Sequence, residues 1–495
     1  MRATLNRVGW VAPVVILAFA GVLRFWALGR PDSLVFDELY YVRDAISQLA
    51  HGFPTTWPND DPSFTGDNSQ SFNAAPNSIA HPPLGKWLIG VGVLLFGSDT
   101  GWGWRFAVAA AGVATVGMTM RLSHVLTRSM WVACLAGLLL AIDGVHVVLS
   151  RVALLDGLLT LFVVLGALCI AHDWRYMQRT LKTRLVRWWR PWMLAAAVAF
   201  GAATAVKWSG LYAFAAFLVA TTLGDLVFRA SREHRPWFGA GLQAFATACI
   251  ALPVAFVTYL VSWLGWILAP GGQFRSPDTS WWESLWRWHA HSFSWHSTLD
   301  AAHPYEASAL TWPLGLRPTA MYFSLDDTQA AAITPLPNVL VTWGGALALL
   351  LLVWVVLRSS WAALRARNTR PLMTSTVAVS TFVLTGYLSG WLPWVLTFSR
   401  SAVFQFYAVV LTPFAAIALA LALTALAGVA GQQRLFGVAG LKLHGSAPAV
   451  HGRRLAVALY VGVAVLLSVM FWPLWIGMPV EFWFYQWHLW LPGWA

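Results

Sequence analysis

Eleven runs of mostly apolar residues recur along the chain, at roughly 9–28, 104–122, 131–149, 153–172, 192–206, 209–227, 238–262, 338–357, 372–391, 404–428 and 455–474. Each is close to the length of about 20 residues that a helix needs to cross roughly 30 Å of hydrocarbon. The runs do not alternate over about ten residues as porin strands do, so they predict membrane helices. A shorter apolar stretch, Leu88 to Phe96, predicts a helix that dips in and returns. Between spans one and two, residues 36–50 carry a helical pattern. Phe36, Leu39, Tyr40, Ile46, Leu49 and Ala50 share an apolar face, and Asp37, Tyr41 and Asp44 share another. The pattern predicts an interfacial helix, with Asp32 or Ser33 available to cap it.

Composition strengthens this picture. Of 495 residues 58% are hydrophobic and only 11% charged, far from the roughly 25% charged residues of soluble domains. The formal net charge of +12 raises nucleic acid as a partner. Its distribution argues against that: segments 1–8, 121–130, 173–191, 225–235, 358–370 and 434–454 hold 21 of the 32 basic residues and 3 of the 20 acidic ones. Such asymmetry predicts that these segments face the cytoplasm, with the N-terminus inside and, after an odd number of spans, the C-terminus outside. The first run follows Arg2 and Arg7 but is long and has no clear small-residue cleavage site, so it reads as a retained anchor. Cys134, Cys169 and Cys249 all fall within apolar runs and imply no disulfide framework.

Two large loops then share the outer side, residues 30–103 and 263–337. The second is rich in Trp and His, including Trp281, Trp282, Trp286, Trp288, His289, His291, Trp295, His296 and His303, as expected of an interfacial segment. Neither loop has the strand alternation of an appended β-domain, so 1–495 reads as one membrane domain.

The candidate chemistry collects at the outer helix ends. Asp37 and Glu38 are neighbours, about 100° apart on a helix, which suits two separate tasks better than a shared proton. As first-turn acids they are also favoured by the helix dipole alone. His81-Pro82-Pro83-Leu84-Gly85-Lys86 sets Lys86 near the start of the dipping helix. Arg151 and Asp156 open the fourth span, five residues apart, a spacing that suggests separate partners. Lys207 lies in the short turn between spans five and six, and Arg400 beyond the outer end of span nine. Each of these cations could simply mark a membrane border. Together they also suit a phosphate whose leaving oxygen gains charge, with a carboxylate opposite to take a proton from an attacking hydroxyl.

Taken together, these segments resemble the protein O-mannosyltransferase family, glycosyltransferase family 39 of the GT-C class. The resemblance rests on Phe36-Asp37-Glu38, HPPLGKWL from His81, SRVALLDG from Ser150, AVKWSGLY from Ala205, HPYEAS from His303, and GWLPW with FQFYAVVLTPF between Gly390 and Phe414. It implies an all-α polytopic GT-C fold and inverting transfer of mannose from a polyprenyl-phosphate carrier to Ser or Thr hydroxyls of exported proteins. On this resemblance Asp37 is the base and Glu38 helps hold the acceptor. Arg151 and Lys207 meet the lipid phosphate, His81, Lys86, Asp156 and Arg400 support them, and His303 and Tyr305 border the acceptor groove. No cofactor is implied, although His289, His291, His296 and His303 leave a divalent metal open.

The second outer loop, about 75 residues, is too short for the β-trefoil MIR domain of eukaryotic members. That points to the bacterial form, in a plasma membrane with its site outside and an export channel as a possible neighbour. Relatives of that form commonly continue after HPYEAS with Pro-Trp, where this chain has Ala309-Leu310. Two other readings stay open. A GT-C transferase acting on a lipid or glycan acceptor would use the same base and cations. A transporter would place polar groups near mid-membrane and show inverted repeats, and neither is evident.

Overall fold

The computed structural model describes residues 2–58, 64, 66–180, 184–232, 235–300, 302–397, 400–441, 443 and 445–494. Helix α1 (Arg2–Phe25) leads into the first outer loop, which contains α2 (Glu38–His51) and α3 (Leu84–Phe96). A bundle follows from α4 (Gly101–Thr127), α5 (Met130–Ala141), α6 (Gly144–Leu149), α7 (Leu155–Thr180), α8 (Pro191–Val206), α9 (Gly210–Ala230) and α10 (Pro236–Ser262). The second outer loop holds the short α11 (Leu264–Leu268) and α12 (Trp281–Thr298). The chain then returns through α13 (Val339–Ala366), α14 (Ser375–Val395), α15 (Thr412–Leu426), α16 (Arg434–Ala439), α17 (Ala447–Trp475) and α18 (Phe482–Trp487).

Every apolar run is occupied by helix. Among the described residues seven helical segments are long and apolar enough to cross a membrane, and Gly9–Phe25, Leu84–Phe96, Met130–Ala141 and Pro191–Val206 are shorter apolar helices. Their outward faces stay greasy: on α17 Leu459, Leu466 and Val469 are all more than 60% exposed, which suits a lipid surface and not water. The third run is not one helix. It breaks at Ile142–Asp143, where Asp143 caps α6 by accepting from the His146 N–H.

Two local expectations are corrected. Neither Asp32 nor Ser33 caps α2; Asp37 itself occupies the N-cap position, with no side-chain bond to the helix backbone, because the turn residues 35–38 already close on each other. The second outer loop also carries strands. β1 (Tyr322–Asp326) pairs antiparallel with β2 (Gln329–Ile333), which pairs with β3 (Val480–Glu481). The run Ala330-Ala331-Ala332 has weak strand propensity, and the two-residue β3 comes from far along the chain. Tertiary pairing, not local pattern, makes this sheet.

Helix α12 lies over the C-terminal ends of α8 and α10. Its Trp288 packs with Tyr259, Trp263, Trp266 and Leu285 in a buried cluster, and Trp282 and Trp286 stay exposed.

Candidate active site

The site forms where α2, the 150–156 turn, the α8–α9 turn and the segment 400–407 meet. Phe36 turns the chain into α2 with a left-handed backbone, φ 49°. That conformation costs a bulky residue about 1–3 kcal/mol unless packing holds it. Here the Phe36 ring is gripped edge-on by His303, Phe404 and Phe406. The strained residue thus ties the first outer loop to the second and sets the direction of the next side chain, Asp37.

Asp37 and Glu38 face different surroundings. Glu38 is fully buried and accepts four hydrogen bonds: two from Arg105, at 2.8 Å each, and one each from the backbone N–H groups of Val35 and Ala153. Arg105 spends its remaining donors on the carbonyls of Leu28, Pro31 and Ser33. This knot joins α2, α4 and the start of α7, and Glu38 has no lone pair turned toward a ligand space.

Asp37 is only partly buried. The Tyr41 hydroxyl donates to it from one turn along α2. Burial pushes the Asp37 carboxyl up to about 6, with Lys207 opposing and Asp156 adding to the rise. A carboxyl poised just below neutral pH is mostly ionised there yet basic enough to accept a proton. Tyr41 is held well above its usual range, chiefly by burial, and so remains a donor.

Lys207 is the cation of this basin. Its Nζ bonds both oxygens of Asp156, at 2.9 and 3.1 Å, and sits 4.1 Å over the Tyr407 ring. Two glycines allow the approach. A Cβ at Gly210 would lie 2.5 Å from the Ala203 backbone, so the α8–α9 turn can be this tight only without one. A Cβ at Gly157 would lie 2.3 Å from the Leu149 carbonyl, where α7 starts against the end of α6 and carries Asp156.

Arg400 completes the rim. It donates to the Ala402 carbonyl and to Nδ1 of His296, and stacks over Trp394. Since His296 Nε2 donates to the Ala80 carbonyl, its Nδ1 is the acceptor and the ring is neutral. His81 stacks on His296 at 5.3 Å and is held well below the ordinary histidine range, first by burial and then by Lys207, His296, Lys86 and Arg400. Among the described residues no carboxylate pairs with Arg400, so its charge is available to an anion.

The sequence candidates thus divide. Asp37, Asp156, Lys207, His81 and Arg400 form one electrostatic neighbourhood. Lys86 borders it, paired at 2.9 Å with Asp44, which also accepts from Asn77. Arg151 stands apart: its guanidinium is buried against the carbonyls of Leu23, Arg24 and Ala27, closing the end of α1. Separate partners for Arg151 and Asp156 are as their spacing suggested. His303 packs on Phe404 and Phe36 and accepts from the Tyr305 N–H, which places Tyr305 beside His303. The second-loop histidines are dispersed, with His289 bonded to Tyr259 and the Leu285 carbonyl. Among the described residues no three His, Cys, Asp or Glu side chains gather in a metal-binding group.

Sequence reasoning missed Arg105, Tyr41 and Tyr407 as parts of the site. Arg105 carried a signal, a charge one residue inside an apolar run. Tyr407 lay unremarked within the FQFYAVVL segment.

Comparison with known proteins agrees with this architecture. Residues 63–266 match the family model of dolichyl-phosphate-mannose-protein mannosyltransferase, and residues 281–494 match that of the C-terminal four TMM region of protein-O-mannosyltransferase. The chain is 30% identical to the polyprenol-phosphate-mannose–protein mannosyltransferase of Mycolicibacterium smegmatis, covering 98% of this chain and 93% of that one. It is 29% identical to the Corynebacterium glutamicum protein of the same name, covering 97% and 92%. Among solved structures it resembles the S. cerevisiae protein O-mannosyltransferase Pmt1-Pmt2 complex bound to the sugar donor, with a TM-score of 0.72 at 14% identity over 98% of this chain and 92% of that one. By full-length sequence similarity, and with the GT-C arrangement in agreement, the chain belongs to the protein O-mannosyltransferase family.

Proposed function

We propose that the protein transfers mannose from a polyprenyl-phosphate carrier to Ser or Thr hydroxyls of exported proteins, at the outer face of a bacterial plasma membrane. The observation that carries the reading is the full-length similarity to polyprenol-phosphate-mannose–protein mannosyltransferases, with Asp37 set beside Tyr41 and across from Lys207 as a candidate base.

Asp37 takes the proton of the acceptor hydroxyl as its oxygen attacks the anomeric carbon. The bond from that carbon to the phosphate oxygen breaks on the opposite side, and the electron pair leaves with polyprenyl phosphate, so the configuration inverts. Lys207 and Arg400 meet the charge that grows on the phosphate. Asp156 aims Lys207, and Tyr407 holds its ammonium from the other side. Because phosphate leaves well, no second acid is required. Glu38 and Arg151 are positioning residues in this scheme, and His303 and Tyr305 border the acceptor. Eleven crossings with an inner N-terminus, the reading of the charge asymmetry, put the basin outside.

Purified protein given labelled polyprenyl-phosphate mannose and a Ser/Thr-rich peptide should yield β- or α-linked mannosyl peptide of one configuration only, opposite to that of the donor. Sugar appearing solely on a lipid or glycan acceptor overturns the choice of acceptor, and retained configuration overturns the direct displacement. Chelation should leave transfer intact; loss on chelation with recovery on adding one divalent ion would bring a metal into the scheme.

A further inference from the structure

The inner half of α17 touches the bundle only sparsely, with Arg453, Arg454 and Tyr460 donating to the carbonyls of Leu426, Ala427 and Leu340 among its contacts. Its buried residues, Ala464, Ser468, Phe471, Leu474 and Trp475, all lie toward its outer end, and Leu455 and Leu459 below them are exposed. Between this half and helices α1, α5, α14 and α15 lies a cavity of about 1370 Å³. Its walls are apolar, with Ile16, Leu135, Leu138, Leu421, Val457 and Val461. Arg128, Arg434 and Arg454, from three separate parts of the chain, are among its lining residues and are exposed, and among the described residues no acidic one lines it.

The general excess of basic residues on one side explains why arginines occur here, but not why three of them line one largely apolar wedge. The space exceeds the roughly 300–1,000 Å³ of small-molecule sites. At hydrocarbon depth an apolar wedge is filled by lipid chains, and a ring of unopposed guanidinium groups complements a phosphate. We propose that this cavity binds an anionic glycerophospholipid, its acyl chains between α17 and α5 and its phosphate at Arg128, Arg434 and Arg454. The orientation proposed above makes it a lipid of the inner leaflet, remote from the transfer basin.

Native mass spectrometry of the full chain, released from nanodiscs of equal phosphatidylglycerol and phosphatidylcholine, tests this. The phosphatidylglycerol adduct should dominate, and the combined change Arg128→Gln, Arg434→Gln, Arg454→Gln should reduce it about tenfold or more. Gly462→Trp, at a lining position with open space beside its Cα, should also expel the adduct with the arginines intact. Equal retention of the two lipids, a polyprenyl phosphate adduct in their place, or an adduct unmoved by both variants would overturn the assignment. The readout is lipid mass, so it stands or falls independently of mannose transfer.

Discussion

Asp37 and Glu38 are adjacent in the chain yet belong to two regions built on opposite lines. Around Glu38 every donor and acceptor is matched: four hydrogen bonds to the carboxylate, three carbonyls for the rest of Arg105, and no exposure. Around Asp37 the chain leaves one tyrosine hydroxyl, a lysine held by another acid, and an arginine with no carboxylate of its own. A saturated buried pair specifies geometry, and an unsaturated one is open to a substrate. The difference teaches that a pair of acids next to each other can divide architecture from chemistry, with the strained Phe36 as the hinge between them.

The sharpest way to break this comparison is to neutralise one acid at a time. Asp37→Asn should lower kcat by about 10²–10⁴-fold, the range for removing a general base, while donor binding holds and the melting temperature does not fall. Glu38 should answer differently, and so should its partner. Arg105→Ala leaves a carboxylate buried without its counter-ion and should destabilise the protein by about 3–5 kcal/mol, read as a lowered melting temperature. Replacing both by apolar residues should recover much of that loss, with the coupling given by a double-mutant cycle. If Asp37→Asn unfolds the protein and Arg105→Ala only slows turnover, the two regions have been assigned the wrong way round.

A gentler test compares two arginines that the sequence made look alike. Arg400→Ala should weaken donor binding about tenfold or more, the scale of one hydrogen bond to a charged group, with melting little changed. Arg151→Ala should lower the melting temperature through the freed α1 carbonyls and leave donor affinity near that of the folded parent. Equal effects on donor binding would put Arg151 back at the phosphate.

These outcomes bear on what was legible beforehand. Apolar run lengths gave the helices nearly to the residue at α8 and α10, because hydrophobic periodicity and terminal Pro191 and Pro236 are local signals. The candidates around Asp37 were legible for a similar reason, since charges at helix mouths in a lipid-facing chain are few. What decided their roles was not local. Glu38 meets Arg105 across 67 residues and Lys207 meets Asp156 across 51, so no spacing could tell a closed pair from an open one. The phosphate role of Arg151 came from the family resemblance, and nothing in its spacing could show that its guanidinium meets the carbonyls at the end of α1. The β1–β2–β3 sheet was invisible because its pairing energy comes from strands brought together by the bundle.

The smallest expected effect is also the most specific to Asp37, since it tests the raised carboxyl directly. In the unfolded chain this group titrates near 3.8, and in the folded protein near 6. The folded state therefore binds the proton more tightly, so ionisation of this carboxyl opposes folding by an amount that grows as the pH rises from about 3.8 and is complete above about 6. Below about 3.8 both states are protonated and the opposition vanishes. Asn mimics the neutral form, so Asp37→Asn should melt slightly higher than the parent at pH 7.5, with the gap shrinking as the pH falls from 6 toward 4. Over the same range kcat/KM of the parent should fall about tenfold per pH unit below 6, the slope of a single ionisation. A melting gap that grows on acidification would mean that the folded protein favours the ionised carboxylate, and Asp37 would then be a poor base.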